Sequence, residues 1–139
     1  MNLLTPASLS SEQWAALRNL PHLVAIAVST SAGSPIDLLF ELAAGRAAIA
    51  NGINNDHPLV RAIAGRAELE AAAVAVRAMV TEPQGMHRAP EELLPLATEA
   101  ARHAADVLRA RGSELDRYAY RDFVLGVARK VAEAAREGD

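Results

Sequence analysis

The sequence predicts an all-α protein, a single-domain bundle of five or six helices over residues 1–139. Alanine is by far the commonest residue, and arginine supplies every positive side-chain charge except that of Lys130. Alanine, arginine and glutamate lose little side-chain entropy in a helix, so this composition favours helix before any pattern is considered. Proline, glycine and capping residues recur at intervals typical of helix boundaries. The length of 139 residues and the absence of an internal repeat indicate one domain.

The first helical signal is a capping box. Ser10 is followed three residues later by Gln13, a spacing in which each side chain can bond the other residue's backbone N–H. A first helix is therefore predicted over residues 11–20, and Pro21 opens a second segment. We interpret residues 23–28 as helix rather than strand, because a strand with no partner would leave its backbone groups unsatisfied.

A turn over residues 29–34 is expected before the helix predicted to be the most buried. That helix spans residues 35–51, begins with a first-turn proline, carries apolar side chains around most of its circumference and stops at Gly52. The segment Asn54-Asn55-Asp56 is expected to cap the next helical region, which has a bend near Gly65.

Two long helices are predicted after a loop over residues 81–90. The first is Pro90–Arg111, and the second spans residues 115–137 with Ser113 and Asp116 at its cap. The residues predicted to form the core are Leu39, Phe40, Ile63, Val76, Leu108, Phe123, Val127 and Val131.

Charge and composition exclude several classes of function. The net charge is −3, with arginine and glutamate interleaved, whereas nucleic-acid binding requires clustered basic side chains. Cysteine is absent, so disulfides, thiolate metal sites and cysteine nucleophiles are excluded. The first eleven residues lack the features of a signal peptide, and no apolar run approaches the length of a spanning helix. These observations predict a soluble cytoplasmic protein with no nucleic-acid or membrane partner.

One helix face has the composition of either a metal site or a solvent-exposed charged surface. Glu99, His103 and Asp106 lie at i, i+4 and i+7, so they share one helix face. A di-iron bundle requires Glu-x-x-His on two helices, and this chain contains no such motif. A solvated charged face is favoured, with a partial metal site as the alternative, and no metal or cofactor is assigned.

The other polar candidates point to no catalytic group. His22, His57 and His87 are isolated from one another, and haem ligation near His87 is not supported because the chain has no Cys-x-x-Cys-His. The hydroxyl residues among positions 29–34 are interpreted as capping residues for the helix that begins at Pro35. Anion binding by the backbone N–H groups at that helix start is the alternative.

The cluster of aromatic residues predicts an interface. Tyr118, Tyr120 and Phe123 lie within six residues of one helix, and Tyr118 points about 200° away from Tyr120 at 100° per residue. If Tyr120 and Phe123 face the core, Tyr118 lies at the surface, where tyrosine is a favoured contact residue. We therefore predict a homodimer with Tyr118 or the helix from Pro35 at its interface. A tyrosine ring lying flat on a neighbouring helix is the alternative.

Two segments carry a resemblance to a known group of proteins. Residues 120–138, together with residues 9–14 and the Leu20-Pro21 pair, resemble small uncharacterised bacterial all-helical proteins that are distantly similar to TerB-like proteins of tellurite resistance. The resemblance implies an all-α fold. The acidic metal ligands of TerB-like domains come from an Asp-Gly segment followed by Glu. Here Glu137-Gly138-Asp139 stands instead, so the resemblance carries over no metal site.

The sequence thus predicts a non-enzymatic interaction or self-association module, whose partner is a second copy or an unidentified protein. A helical bundle that binds a metal ion or small ligand is the alternative. An enzyme is less favoured, because no nucleophile–base pair or carboxylate pair is evident.

Overall fold

The computed structural model describes residues 3–30, 35–81 and 90–137, with the side chains of residues 3–30, 43–81 and 91–134. The α-helices are α1 (Ser11–Thr30), α2 (Pro35–Ala50), α3 (Pro58–Ile63), α4 (Arg66–Val80), α5 (Pro90–Arg111) and α6 (Glu114–Glu137). Two short 3-10 helices span Pro6–Ser8 and Asn51–Asn54. The described residues contain no β-strand, which confirms the predicted all-α bundle of five or six helices. None of the described helices is long and apolar enough to cross a membrane.

Helices α1 and α6 form the centre of the bundle. Helix α1 packs against α2, α4, α5 and α6, and α6 also packs against α2 and α3. Helix α2, predicted to be the most buried element, packs mainly against α1 and α6. The side chains of Leu39 and Phe40, predicted to be core residues, lie outside the described side chains. The bundle is therefore organised around α1 and α6.

Helix α1 continues through Pro21, which corrects the prediction of two segments divided at this residue. Proline has no backbone N–H, so the carbonyl of Leu17, four residues earlier, loses its usual helical partner. The hydroxyl of Tyr120 on α6 donates a hydrogen bond of 2.7 Å to that carbonyl. Tyr120 therefore satisfies the group that the proline leaves open. The prediction of helix at residues 23–28 is confirmed, and Ser29 and Thr30 also belong to α1.

The capping prediction at the start of α1 is confirmed. Ser10 Oγ accepts from the backbone N–H of Gln13 at 3.1 Å, and Gln13 Oε1 accepts from the backbone N–H of Ser10 at 2.9 Å. These two bonds satisfy backbone donors that the first turn would otherwise leave without partners.

Glycine allows α2 to approach its neighbours closely. A methyl group built on Gly45 would lie 2.8 Å from Cβ of Ala25 on α1 and 3.0 Å from a methyl of Val131 on α6. Gly52, predicted as a helix stop, instead lies within the 3-10 helix that follows α2. A methyl group there would lie 3.0 Å from the ring of Phe123. Gly45 therefore requires glycine for space, and a side chain at Gly52 would force the Phe123 ring to shift.

The start of α3 corrects the predicted cap. His57, rather than the Asn-Asn-Asp segment, is the N-cap residue, and its Nδ1 accepts from the backbone N–H of Leu59 at 3.0 Å. Asn55 contributes one step earlier, because its Oδ1 accepts from the backbone N–H of His57 at 2.8 Å. The bend predicted near Gly65 is a full break, since α3 ends at Ile63 and α4 begins at Arg66 with Gly65 as its N-cap.

The predicted core is confirmed wherever its side chains are described. The main cluster of buried residues joins α1, α2, α3, α5 and α6, and a smaller cluster lies between α1, α4 and α5. The predicted residues that are buried are Ile63, Val76, Leu108, Phe123, Val127 and Val131.

Candidate functional sites

The most polar buried cluster in the described side chains joins His57 and Asp116. His57 is 5% exposed and Asp116 is 1% exposed. His57 Nε2 lies 2.7 Å from Asp116 Oδ1. The same oxygen accepts from the backbone N–H of Leu4 at 3.0 Å. Asp116 Oδ2 accepts from the backbone N–H and the hydroxyl of Ser113, at 2.8 and 3.0 Å. The cluster thus ties the N-terminal segment, the start of α3 and the start of α6 together.

The hydrogen-bond pattern assigns the tautomer of His57. Nδ1 accepts from the Leu59 N–H, so it carries no hydrogen, and Nε2 donates to Asp116. A His–Asp pair used in catalysis leaves the second ring nitrogen free to take a proton from a nucleophile or water. Here the helix backbone already occupies that nitrogen. The pair has the composition of a catalytic dyad, but its geometry serves the fold.

The electrostatics of Asp116 agree with this structural role. Burial alone would raise the pKa of the carboxyl group, but the bonds from the Ser113 and Leu4 backbones, from His57 and from the Ser113 hydroxyl outweigh it and hold the pKa below its usual value of 3.8. The predicted cap by Ser113 and Asp116 is confirmed, because Ser113 Oγ also accepts from the backbone N–H of Asp116 at 3.2 Å. Asp116 therefore remains a carboxylate with four donors.

The Glu99, His103 and Asp106 face is exposed to solvent. Glu99 lies 3.6 Å from Arg102, and Asp106 lies 3.2 Å from Arg109, so both carboxylates have cationic neighbours on α5. In the part of the chain that the structure describes, no group of three or more His, Asp or Glu side chains is arranged to hold a metal ion. The geometry thus favours a solvated face.

The hydroxyl groups expected near the start of α2 bond elsewhere where they are described. Ser29 Oγ donates to the Ala25 carbonyl at 2.7 Å, and Thr30 Oγ1 donates to the Ala27 carbonyl at 3.2 Å. Both bonds lie within α1. Ser31, Ser34 and the loop around His87 lie outside the described residues.

The two tyrosines of α6 face opposite directions, as predicted. Tyr120 is buried, and burial raises the pKa of its hydroxyl above the usual value. Tyr118 is 71% exposed, and Leu125, seven residues later, is 47% exposed. Seven residues make about two helical turns, so these two apolar side chains lie on the same side of α6. We call the surface formed by Glu114, Tyr118, Arg121, Asp122, Leu125 and Arg129 the outer face of α6.

A cavity of about 310 Å³ lies between α1, α2 and α4. His22, Arg46 and Arg77 contribute its polar groups, and its other lining residues are apolar. Within the described residues, the buried Nε2 atom of His22 has no hydrogen-bond partner. Burial, followed by the charges of Arg46 and Arg18, lowers the pKa of His22 to about 4. The imidazole is therefore neutral near pH 7.

A larger cavity of about 810 Å³ lies between α6 and the end of α2 with the 3-10 helix that follows. Its charged residues include Lys130 and Glu133, which lie 3.8 Å apart. A methyl group built on Gly126 would meet nothing within 4 Å, so this cavity is an open groove. Lys130 and Glu133 pair with each other, and the third charged residue of the groove, Asp122, belongs to the outer face of α6, so the groove is a weaker candidate for recognition than the smaller cavity.

Sequence reasoning missed the two histidine sites and found the tyrosine surface. Tyr118 could be placed because a helical wheel separates it from Tyr120. The bond between His57 and Asp116 depends on a contact between helices far apart in sequence. The cavity that His22, Arg46 and Arg77 line likewise depends on three helices that are separate in sequence. The only local signals were the position of His57 before Pro58 and the capping pattern of Asp116.

Comparison of the chain with protein-family models, with curated proteins and with solved structures gives no match in any of the three. The resemblance to TerB-like proteins therefore stays an expectation, and the geometry of the described residues carries the functional argument.

Proposed function

We propose that this protein is a non-enzymatic self-association module that forms a homodimer through the outer face of α6. The observation that carries the proposal is the order of side chains on this face. Two exposed apolar residues, Tyr118 and Leu125, lie among four exposed charged residues. In the described part of the chain none of those four charges has an ion-pair partner within 4 Å.

This order is self-complementary about a twofold axis. Two antiparallel α6 helices related by an axis between residues 121 and 122 place Tyr118 of one copy opposite Leu125 of the other. Each apolar side chain then loses water contact against another apolar group. A twofold interface uses the same patch on both copies, so every such contact occurs twice.

The charges follow the same symmetry. The axis that pairs Tyr118 with Leu125 also places Arg121 opposite Asp122 of the second copy, and Glu114 opposite Arg129. Each of these pairs joins opposite charges, which favours this register over a parallel arrangement in which like charges meet. The apolar pair supplies affinity, and the charged pairs supply orientation.

The test is the solution mass. Multi-angle light scattering at tens of micromolar should give twice the chain mass of 14.7 kDa. Tyr118→Ala should shift the mass to that of the monomer, because the largest exposed side chain of the face is lost. Val74→Ala, at a residue of α4 that is 72% exposed, is the matched control and should leave the dimer intact. A monomer mass for the unaltered chain contradicts the proposal.

A charge exchange tests the register. Glu114→Arg alone places two arginines together at each end of the pairing, and Arg129→Glu alone places two glutamates together, so each should weaken the dimer. The double variant Glu114→Arg/Arg129→Glu restores opposite charges and should restore the dimer. Failure of the double variant to recover dimer mass would show that α6 does not pair in this register.

A further inference from the structure

We infer that the cavity between α1, α2 and α4 is a binding site for a compact organic carboxylate, with the anionic group held by Arg46, Arg77 and His22. This site goes beyond self-association, since it lies on different helices from the outer face of α6.

Among the residues that the structure describes, the polar side chains of the cavity have no acidic partner. Arg46 and Arg77 both line it, and within residues 3–30, 43–81 and 91–134 neither has an acidic side chain within 4 Å. His22 Nε2 is likewise buried with no hydrogen-bond partner among these residues. Buried polar atoms in folded proteins almost always have partners, and one left open costs stability. Two guanidinium groups and one imidazole form a donor set whose complement is an anion.

The imidazole of His22 and the guanidinium of Arg46 both line the cavity and lie close enough to interact electrostatically. Burial is the main cause of the lowered pKa of His22, and Arg46 on α2 lies near enough for its charge to lower this pKa further, as does Arg18. Because the ring stays neutral near pH 7, it can donate one hydrogen bond without adding a third positive charge. An anion at this position would offset the charge of Arg46 and give Nε2 a partner.

The other lining residues indicate the polarity and size of the remainder of the ligand. Ile26, Ile49, Leu69 and Val80 line the cavity, so the part of the ligand away from the anion is hydrocarbon. A volume of about 310 Å³ holds about ten water-sized groups at roughly 30 Å³ each. Arginine presents a planar fork that matches a carboxylate. These features describe a carboxylate with a chain or ring of about eight carbons.

Octanoate, with ten non-hydrogen atoms, is the probe of choice. Isothermal titration calorimetry should give saturable binding with one octanoate per chain. Acetate, which lacks the chain, and 1-octanol, which lacks the charge, should each bind at least about tenfold more weakly. The imidazole signals of His22 in an NMR spectrum should shift on addition of octanoate at constant pH, and those of His57 should not.

Two exposed arginines provide variants that keep the fold. Arg46→Gln and Arg77→Gln should each weaken octanoate binding by about tenfold, the loss expected for a charge-assisted hydrogen bond. Arg109→Gln removes the same charge from the surface of α5 and should change the affinity by less than about twofold.

Four results would overturn the inference. They are no saturable binding of octanoate at millimolar concentration, equal affinity for 1-octanol, tighter binding of octyl phosphate than of octanoate, and unchanged affinity in both Arg46→Gln and Arg77→Gln.

Discussion

His22 and His57 are both histidines of the helical interior, but their surroundings differ in one respect. Both ring nitrogens of His57 have partners supplied by the chain, one from the helix backbone and one from Asp116. In the part of the chain that the structure describes, His22 has a buried nitrogen without a partner, beside a cavity lined by two arginines that have no ion-pair partner. A polar group satisfied by its own fold has no capacity for a ligand, whereas an unsatisfied one lowers stability and can accept a partner from outside.

The largest expected effect comes from breaking the satisfied cluster. Asp116→Ala leaves the His57 Nε2–H and the Leu4 and Ser113 backbone N–H groups without their acceptor, and should lower the free energy of unfolding by about 3–5 kcal/mol. Urea denaturation at pH 7 measures this change. Asp106→Ala, on the exposed face of α5, is the matched control and should cost less than about 0.5 kcal/mol. Similar losses for the two variants would show that the buried Asp116 contributes no more to stability than an exposed aspartate.

The Leu17 carbonyl is a second buried polar group whose partner, the Tyr120 hydroxyl, comes from the chain itself. Tyr120→Phe removes the donor to the Leu17 carbonyl and should cost about 1–3 kcal/mol. In a Pro21→Ala background the new backbone N–H of residue 21 can bond that carbonyl, so Tyr120→Phe should cost about 1 kcal/mol less there. The difference is measured by a double-mutant cycle in urea. Equal costs in both backgrounds would mean that the hydroxyl does not replace the missing proline donor.

Acid should lower the stability contributed by the two histidine regions in different pH ranges. His22 has a folded-state pKa of about 4 against a usual value of 6.5, so between these values the unfolded chain binds a proton that the folded chain excludes. Stability contributed by neutral His22 therefore falls as the pH decreases from about 6.5 to 4. The contribution of Asp116, whose folded pKa is below 3.8, persists through that window and is lost only at lower pH.

The variant His22→Leu isolates the upper window. It should lose less stability than the unaltered chain when urea denaturation is repeated at pH 7, 5.5 and 4, values that bracket the range between the two pKa values of His22. An unchanged pH dependence in His22→Leu would place the acid sensitivity on other groups.

The smallest effect is expected for His22→Leu at pH 7. Leucine fills a similar volume and removes the buried nitrogen that has no partner, so the substitution should be neutral or stabilise the fold by up to about 1 kcal/mol. His57→Leu, by contrast, leaves the Asp116 carboxylate without one of its donors and should destabilise the fold by several times that amount. A clear loss of stability in His22→Leu would indicate that this imidazole is already satisfied.

The fold could be predicted from the sequence where the signal is local. Ser10 with Gln13, and Ser113 with Asp116, mark helix starts through bonds across three residues, and the structure contains both. The predicted division of α1 at Pro21 was wrong, because Tyr120, the donor that replaces the missing proline N–H, belongs to another helix. The cap of α3 was misassigned because histidine is a less usual cap than asparagine or aspartate.

The candidate sites were less predictable for the same physical reason. The position of Tyr118 follows from the helical period, which one segment specifies alone. The surroundings of His22 require α1, α2 and α4 to be assembled, and neither Arg46 nor Arg77 stands near it in sequence. The residue pattern of one helix does not indicate which charged side chains a neighbouring helix places beside it.

The bond between Tyr120 and Leu17 also bears on how the protein folds. In isolation the Ser11–Thr30 segment lacks one hydrogen bond at its middle, and α6 supplies the replacement only after the two helices dock. Secondary structure and docking are thereby coupled, so α1 should not open residue by residue from Pro21. We expect the backbone amides of Leu23 and Ala25 to exchange with solvent deuterium at the rate of global unfolding, as members of the slowest cooperative unit of the chain.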